Sequence, residues 1–171
     1  GLGRIVGDKH ALRLVCATDG NHGRAVARVG KMLGIPARIH IPEGTSEQRM
    51  EAIEVEGGIV VMGGTYDESL ARASEDAASG GLLIQDTASD GYEQVPLWTV
   101  EGYSTMFWEI DEALSKNGRK EPTHVLVQIG VGSLVDAAVR HFRRQELQHQ
   151  PVMIGIEPEV SACVLESVKA G

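Results

Sequence analysis

Three short stretches of this sequence concentrate residues able to do chemistry, and each follows an apolar run. The first is Thr18-Asp19-Gly20-Asn21-His22-Gly23. Glycines here would let the backbone take positive φ and approach a ligand closely. The unpaired amides of a helix starting there would favour an anion such as a carboxylate. A plain turn with Asn or Asp as a helix cap needs fewer such residues. The second stretch is Gln128-Ile129-Gly130-Val131-Gly132-Ser133, whose amides and Ser133 hydroxyl could cradle a phosphate. It lacks the third glycine of the dinucleotide fingerprint and the Lys of a P-loop, so a simple tight turn is the alternative. The third is Gln85-Asp86-Thr87, with Tyr92 close by. A carboxylate at a strand's carboxyl end can be a base or a substrate anchor, or a cap that bonds its own loop. His22 could act as a general base, but at a glycine turn opening a helix it reads as a structural hydrogen-bonder.

Placing these groups takes an alternation of strands and helices. Residues 12–17 read as a buried strand, 25–33 as a helix stopped by Gly34, and 37–41 as a strand closed by Pro42. Thr45-Ser46-Glu47-Gln48 has the form of a capping box opening a helix over 46–55, and Thr65-Tyr66-Asp67-Glu68 that of another opening a helix to 78. Strands are expected at 58–62 and 82–85. The polar stretch 86–95 is the expected lobe boundary, between a complete small lobe over 1–90 and a partial large lobe over 91–171. In the second lobe Pro96 suits a first helical turn, and that helix should run to 116 and end at Asn117-Gly118. A strand at 124–128, a helix over 133–145, a strand at 152–156 and a last helix from 161 complete the reading. Apolar strands bounded by helices imply an α/β fold with parallel sheets covered on both faces. Ligands of such sheets bind beyond the carboxyl ends of the strands, where all three stretches fall.

The chain has 171 residues and a net charge of -8, which argues against nucleic acid as the main partner. Arg140, Arg143 and Arg144 form one basic cluster, read as a solvated helix face. No apolar run approaches the roughly 20 residues needed to span a bilayer, and residues 1–9 show no secretory leader. Cys16 and Cys163 match no metal or redox spacing and are expected to be buried thiols. A reducing, cytoplasmic setting follows as an expectation.

The run from Cys16 to Ala27 resembles the asparagine loop of fold-type II pyridoxal-phosphate enzymes. Most of that group has Ser, one residue, then Gly-Asn; an Asp between Thr and Gly-Asn-His-Gly is characteristic of diaminopropionate ammonia-lyases. Gln85-Asp86-Thr87-Ala88 with Gly91-Tyr92, then Glu101-Gly102-Tyr103, resembles the same subgroup. So do Pro122-Thr123-His124-Val125, Gly130-Val131-Gly132-Ser133 and Ile156-Glu157-Pro158. The resemblance implies that Asn21 bonds the phenolic oxygen of pyridoxal 5'-phosphate and that Gly130, Val131, Gly132 and Ser133 bind its phosphate. Thr18 and Gly20 would hold the substrate carboxylate. Asp19 would exchange the Cα proton of one enantiomer, and Asp86 would hold or deprotonate the substrate amine, with Tyr92 beside it on the substrate side. Glu157 would stand behind the site. The implied reaction is α,β-elimination of 2,3-diaminopropionate: the β-amino group leaves as ammonia, and the aminoacrylate released hydrolyses to pyruvate and a second ammonia. The partners implied are a small amino acid and, in the full-length enzyme, a second copy in a homodimer.

Two departures from the family pattern stand out. Its members carry the imine-forming lysine some forty residues before the asparagine loop, whereas eighteen residues precede Asp19 here, and Lys9 is too near the loop to serve. The chain therefore reads as a piece of a longer lyase, inactive alone, with exposed apolar surface on its larger-lobe half and a tendency to associate. The phosphate loop also continues Leu134-Val135-Asp136, where smaller residues are usual. Asp136 could cap the helix and would compete with phosphate for its amides. The alternatives are a threonine- or serine-dehydratase-like lyase, and a short non-catalytic relative that binds a phosphate-bearing ligand.

Overall fold

The computed structural model describes residues 12–119, 121–144 and 149–171. The chain forms two compact units, Gly1–Gln85 and Asp86–Gly171, which part at the start of the polar stretch.

In the first unit β1 (Arg13–Ala17), β2 (Ala37–Ile41), β3 (Gly58–Met62) and β4 (Gly81–Leu83) form one parallel sheet in the order β3-β2-β1-β4. The helices between them are α1 (Asn21–Leu33), α2 (Glu47–Val55) and α3 (Tyr66–Ala78). Side chains alternate across a strand, so β1 serves two cores. Leu14 and Cys16 join Val26, Ala27, Ile39, Ile41 and Ile53 on one face, and Val15 and Ala17 meet Ala73 of α3 on the other. Burial on both faces is why β1 is apolar at every position from 14 to 17.

Three local expectations are corrected. Helix α1 begins at Asn21 rather than 25, so Asn21 and His22 sit in its first turn. The box at Thr45 does not form: Ser46 is the N-cap of α2 without a side-chain bond, and the Thr45 hydroxyl donates to the Pro42 carbonyl at 2.8 Å. That hydroxyl already serves the preceding turn. β4 ends at Leu83 rather than 85. The box at Thr65 does form, with Thr65 Oγ1 accepting from the Glu68 amide at 3.2 Å and Glu68 Oε2 from the Thr65 amide at 2.7 Å.

The α3 face of the sheet also holds a buried charge. Arg13, Arg38 and His40 share that face by alternation, and all converge on Asp76. Arg13 Nε donates to Oδ1 at 2.7 Å, Arg38 reaches Oδ2 at 3.1 Å, and His40 Nε2 lies 3.0 Å from Oδ2. The Asp76 side chain is 7% exposed. Burial alone would raise its pKa, but the hydrogen bonds from His40 and Arg13 and the charges of Arg38 and Arg13 outweigh it and hold the carboxyl below its ordinary value.

The second unit contains α4 (Gln94–Lys116), β5 (His124–Gln128), α5 (Ser133–Phe142), β6 (Val152–Ile156), a 3-10 turn (Glu159–Ser161) and α6 (Cys163–Ala170). β5 and β6 pair in parallel from His124↔Val152 to Gln128↔Ile156. The helix expected over 133–145 stops at Phe142, the last helix starts at Cys163 rather than 161, and residues 145–148 lie outside the described residues. Val100, Phe107, Val127, Ala137, Ala138 and Phe142 form the core. At its edge Asp111 joins His141 Nε2 (2.9 Å) and Arg144 (2.5 Å), with Arg144 over the Trp108 ring. Burial, then Arg144, lowers the His141 pKa against the opposing pull of Asp111. Leu126 and Ile156 are 63% and 51% exposed, with Val152 and Ile154 beside them. One sheet face thus stands bare in this chain, as expected for this half. Cys16 is buried as expected, but Cys163 is exposed, because it opens α6 at the surface.

Thr65→Ala removes a cap and is expected to lower stability by about 1 kcal/mol in urea denaturation. Asp76 binds its proton less readily folded than unfolded. Its stabilisation is complete above about pH 4 and is lost as the pH falls through the lower folded value. Asp76→Asn is therefore expected to cost about 2 kcal/mol at neutral pH and to flatten the acid side of the Tm–pH profile. An unchanged acid limb would refute this.

Candidate active site

In the first unit the Thr18-to-Gly23 stretch follows the carboxyl end of β1. Thr18 is buried: its amide donates to the His40 carbonyl at 3.0 Å, and its Oγ1 accepts from the Gly20 amide at 3.1 Å. Asp19 is exposed. Arg49 Nη1 lies 3.3 Å from its carbonyl and 3.4 Å from Oδ2, a surface pair worth about 0–1 kcal/mol. Gly20 is the N-cap of α1 and forms no side-chain cap bond. A glycine N-cap brings no side chain to the first turn of α1, and Asn21 in that turn is exposed.

The glycines do not act as expected. Gly20 and Gly23 are not in the positive-φ region. Gly23 is required by packing: a Cβ there would lie 2.4 Å from Thr18 Cγ2 and 2.7 Å from Ile39 Cγ2. A Cβ at Gly20 would meet nothing within 4 Å, so the turn is open on that side. His22 Nε2 lies 2.7 Å from the Ile84 carbonyl. A carbonyl can only accept, so this nitrogen bears the proton. That supports the structural reading of His22.

In the second unit Gly130, Val131 and Gly132 join β5 to α5. Gly132 has φ 105 and is the N-cap, with no side-chain cap bond; a Cβ at Gly130 would meet open space. Asp136 does not cap the helix. Its carboxylate accepts from Arg140 Nε at 2.8 Å, one turn on, where an i,i+4 pair forms readily. That carboxylate therefore does not take up the first-turn amides of α5. Ser133 Oγ donates to the Asp86 carbonyl at 2.7 Å, tying the phosphate-loop candidate to the third stretch. Asp86 is half-buried, and its charge, after burial, helps raise the pKa of Tyr103. The structure thus places Asp86, Ser133 and Tyr103 close together. Tyr92 is half-buried and closes a turn, its amide donating to the Ser89 carbonyl at 2.8 Å. Glu157 accepts from the Val164 and Leu165 amides at 2.8 and 2.9 Å and caps α6. Cys163 Sγ lies 2.9 Å from the Gly130 carbonyl.

Sequence reasoning missed three of these contacts: Arg49 on Asp19, Cys163 on Gly130, and the Gln85 side chain on the backbone of Ala17. They join residues 30 to 68 positions apart, and no local spacing signals them.

A family model described as pyridoxal-phosphate dependent enzyme matches residues 3–171. This chain belongs to that family. It is 37% identical over 90% of its length to the diaminopropionate ammonia-lyase of Salmonella typhimurium and covers 38% of that protein. It is 34% identical over 92% of its length to a biosynthetic L-threonine dehydratase of Corynebacterium glutamicum, covering 35% of it. Among solved structures, the holo diaminopropionate ammonia lyase of Escherichia coli superposes with a TM-score of 0.89 at 32% identity, over 99% of this chain and 44% of that one. The chain spans about two-fifths of the length of the curated relatives it matches. Its fold is that of the fold-type II pyridoxal-phosphate enzymes. Within this family the start of α5 suits a phosphate: its Gly132 N-cap makes no side-chain bond and the Asp136 carboxylate is taken by Arg140.

Gly23→Ala forces a methyl into the Thr18–Ile39 contact. It is expected to cost about 1–3 kcal/mol by overpacking, read as a lowered urea midpoint. Gly20→Ala meets no neighbour and should cost less; equal losses would refute the packing account.

Proposed function

We propose that the full-length protein is a pyridoxal-phosphate-dependent ammonia-lyase acting on 2,3-diaminopropionate. The observation that supports this best is the exposed Asp19 at the carboxyl end of β1, beside the uncapped start of α1, in a chain 37% identical to a diaminopropionate ammonia-lyase. When bound, the cofactor supplies an electron sink for loss of the Cα proton.

The residues of each unit take distinct parts. In the first, Asn21 donates to the cofactor's phenolic oxygen, while Thr18 and Gly20 hold the substrate carboxylate. Asp19 exchanges the Cα proton; its exposure leaves it able to meet a substrate, and Arg49 keeps its carboxylate near a positive charge. In the second, Gly130, Val131, Gly132 and Ser133 hold the phosphate by their amides. Ser133 already gives its hydroxyl hydrogen to Asp86, so that hydroxyl meets phosphate only if the hydrogen is redirected. Asp86 binds the substrate amine, and Tyr92 lines the same side. Tyr103, its pKa raised, stays a neutral phenol and can donate. Lys9 lies outside the described residues and is given no role. A homodimer in the cytoplasm completes the proposal; the bare apolar face of the second unit supports association.

Threonine or serine dehydration is the second reading, favoured by the 34% identity to the Corynebacterium enzyme. Ammonia and pyruvate, or the corresponding keto acid, measured with 2,3-diaminopropionate, threonine, serine and cysteine on the full-length protein separate the two. The expected result is preference for 2,3-diaminopropionate, with Asp19→Asn reducing kcat about a hundredfold or more for one enantiomer. Preference for threonine, with Asp19→Asn unimpaired, would refute the assignment.

A further inference from the structure

β1 runs to Ala17, but β4 ends at Leu83. The Ile84 amide still donates to the Val15 carbonyl at 2.7 Å. Two residues further along β1, the amide and carbonyl of Ala17 face the same side with no strand backbone opposite. The Gln85 side chain takes that place: Oε1 accepts from the Ala17 amide at 3.0 Å and Nε2 donates to the Ala17 carbonyl at 3.1 Å. Gln85 is 2% exposed. A primary amide offers one acceptor and donors on a flat group, much as a peptide unit does. It can therefore close the edge of β1 while the main chain turns away. Its neighbour Ile84 accepts from His22 Nε2 at 2.7 Å. Adjacent residues thus hold the chain on both sides of Thr18, Asp19, Gly20 and Asn21.

We propose that Gln85 and His22 are positioning residues that fix this four-residue segment in its ligand-ready shape before anything binds. The inference rests on the reading of the segment as the part that meets cofactor and substrate. Physically, a short loop pinned at both ends has little conformational freedom left to lose on binding. A buried backbone pair deprived of its partner would reach for water or another group and draw the loop with it.

The test uses the full-length holoenzyme carrying Gln85→Glu or Gln85→Met. A protonated Glu reproduces the donor and acceptor of the amide; an ionised one sets a carboxylate against the Ala17 carbonyl. Relative to wild type at the same pH, hydrogen exchange of the amides over residues 17–22 in Gln85→Glu should be about tenfold faster at pH 8 and near wild type at pH 6. kcat should fall about tenfold at pH 8 and recover at pH 6, with a smaller change in KM. Gln85→Met, which keeps the volume, should show the faster exchange at both pH values and covers the case in which the Glu variant fails to fold. Ile35→Val, a core change away from the segment, should leave exchange at 17–22 as in wild type. Unchanged exchange at 17–22 in both Gln85 variants, or acceleration spread evenly over the whole sheet, would overturn the proposal. A wild-type protein that turns over none of the amino acids would sink the lyase reading alone, because the exchange data decide the clamp without any activity.

Discussion

Ala17 stands where β1 must stop being a strand and become the start of a site. On the β2 side the ladder continues, with the Thr18 amide on the His40 carbonyl; on the β4 side the backbone partner has gone, and a buried Gln85 amide replaces it. A buried backbone group without a partner is costly, so everything after Ala17 depends on this substitution. It allows β1 to end on an open turn while its last residue remains satisfied. Helix α1 then starts from a Gly20 N-cap that makes no side-chain bond, and Gly23 lets that helix sit against Thr18 and Ile39.

The second unit solves a related problem with different means. There the strand-to-helix turn is made by Gly132 at φ 105, and the start of α5 has no side-chain cap. Carboxylates that could have occupied such amides are directed elsewhere: Asp136 pairs with Arg140, and Glu157 caps α6. Thr65 and Glu68 cap α3, whereas the N-caps of α1 and α5, each in its own unit, are glycines without a side-chain bond.

Behind the sheet of the first unit, Asp76 shows how the fold keeps a charge inside. Its carboxylate is matched by Arg13, Arg38 and His40, all on one face by strand alternation. The same His40 presents its carbonyl to Thr18. His40 thus links the buried ion cluster to the segment that follows β1.

Much of this was written locally in the chain. The strands 37–41, 58–62, 124–128 and 152–156 were legible from apolar runs, and the resemblance of Thr18 through Gly23 and of Gly130 through Ser133 to known loops gave the family. Those signals depend on neighbours a few residues apart, and the physics behind them is local: periodicity, turns and caps. Where two local solutions competed, the sequence could not choose. Thr45 had the form of a cap but bonds Pro42, and Asp136 had the form of a cap but takes Arg140. Only the tertiary structure decided that Gly23 is needed for packing rather than for positive φ, that His22 gives Nε2 to Ile84, and that Gln85 completes β1 from 68 residues away. Such partners are fixed by the order of strands in the sheet, and that order arises only once separate stretches of chain have packed together.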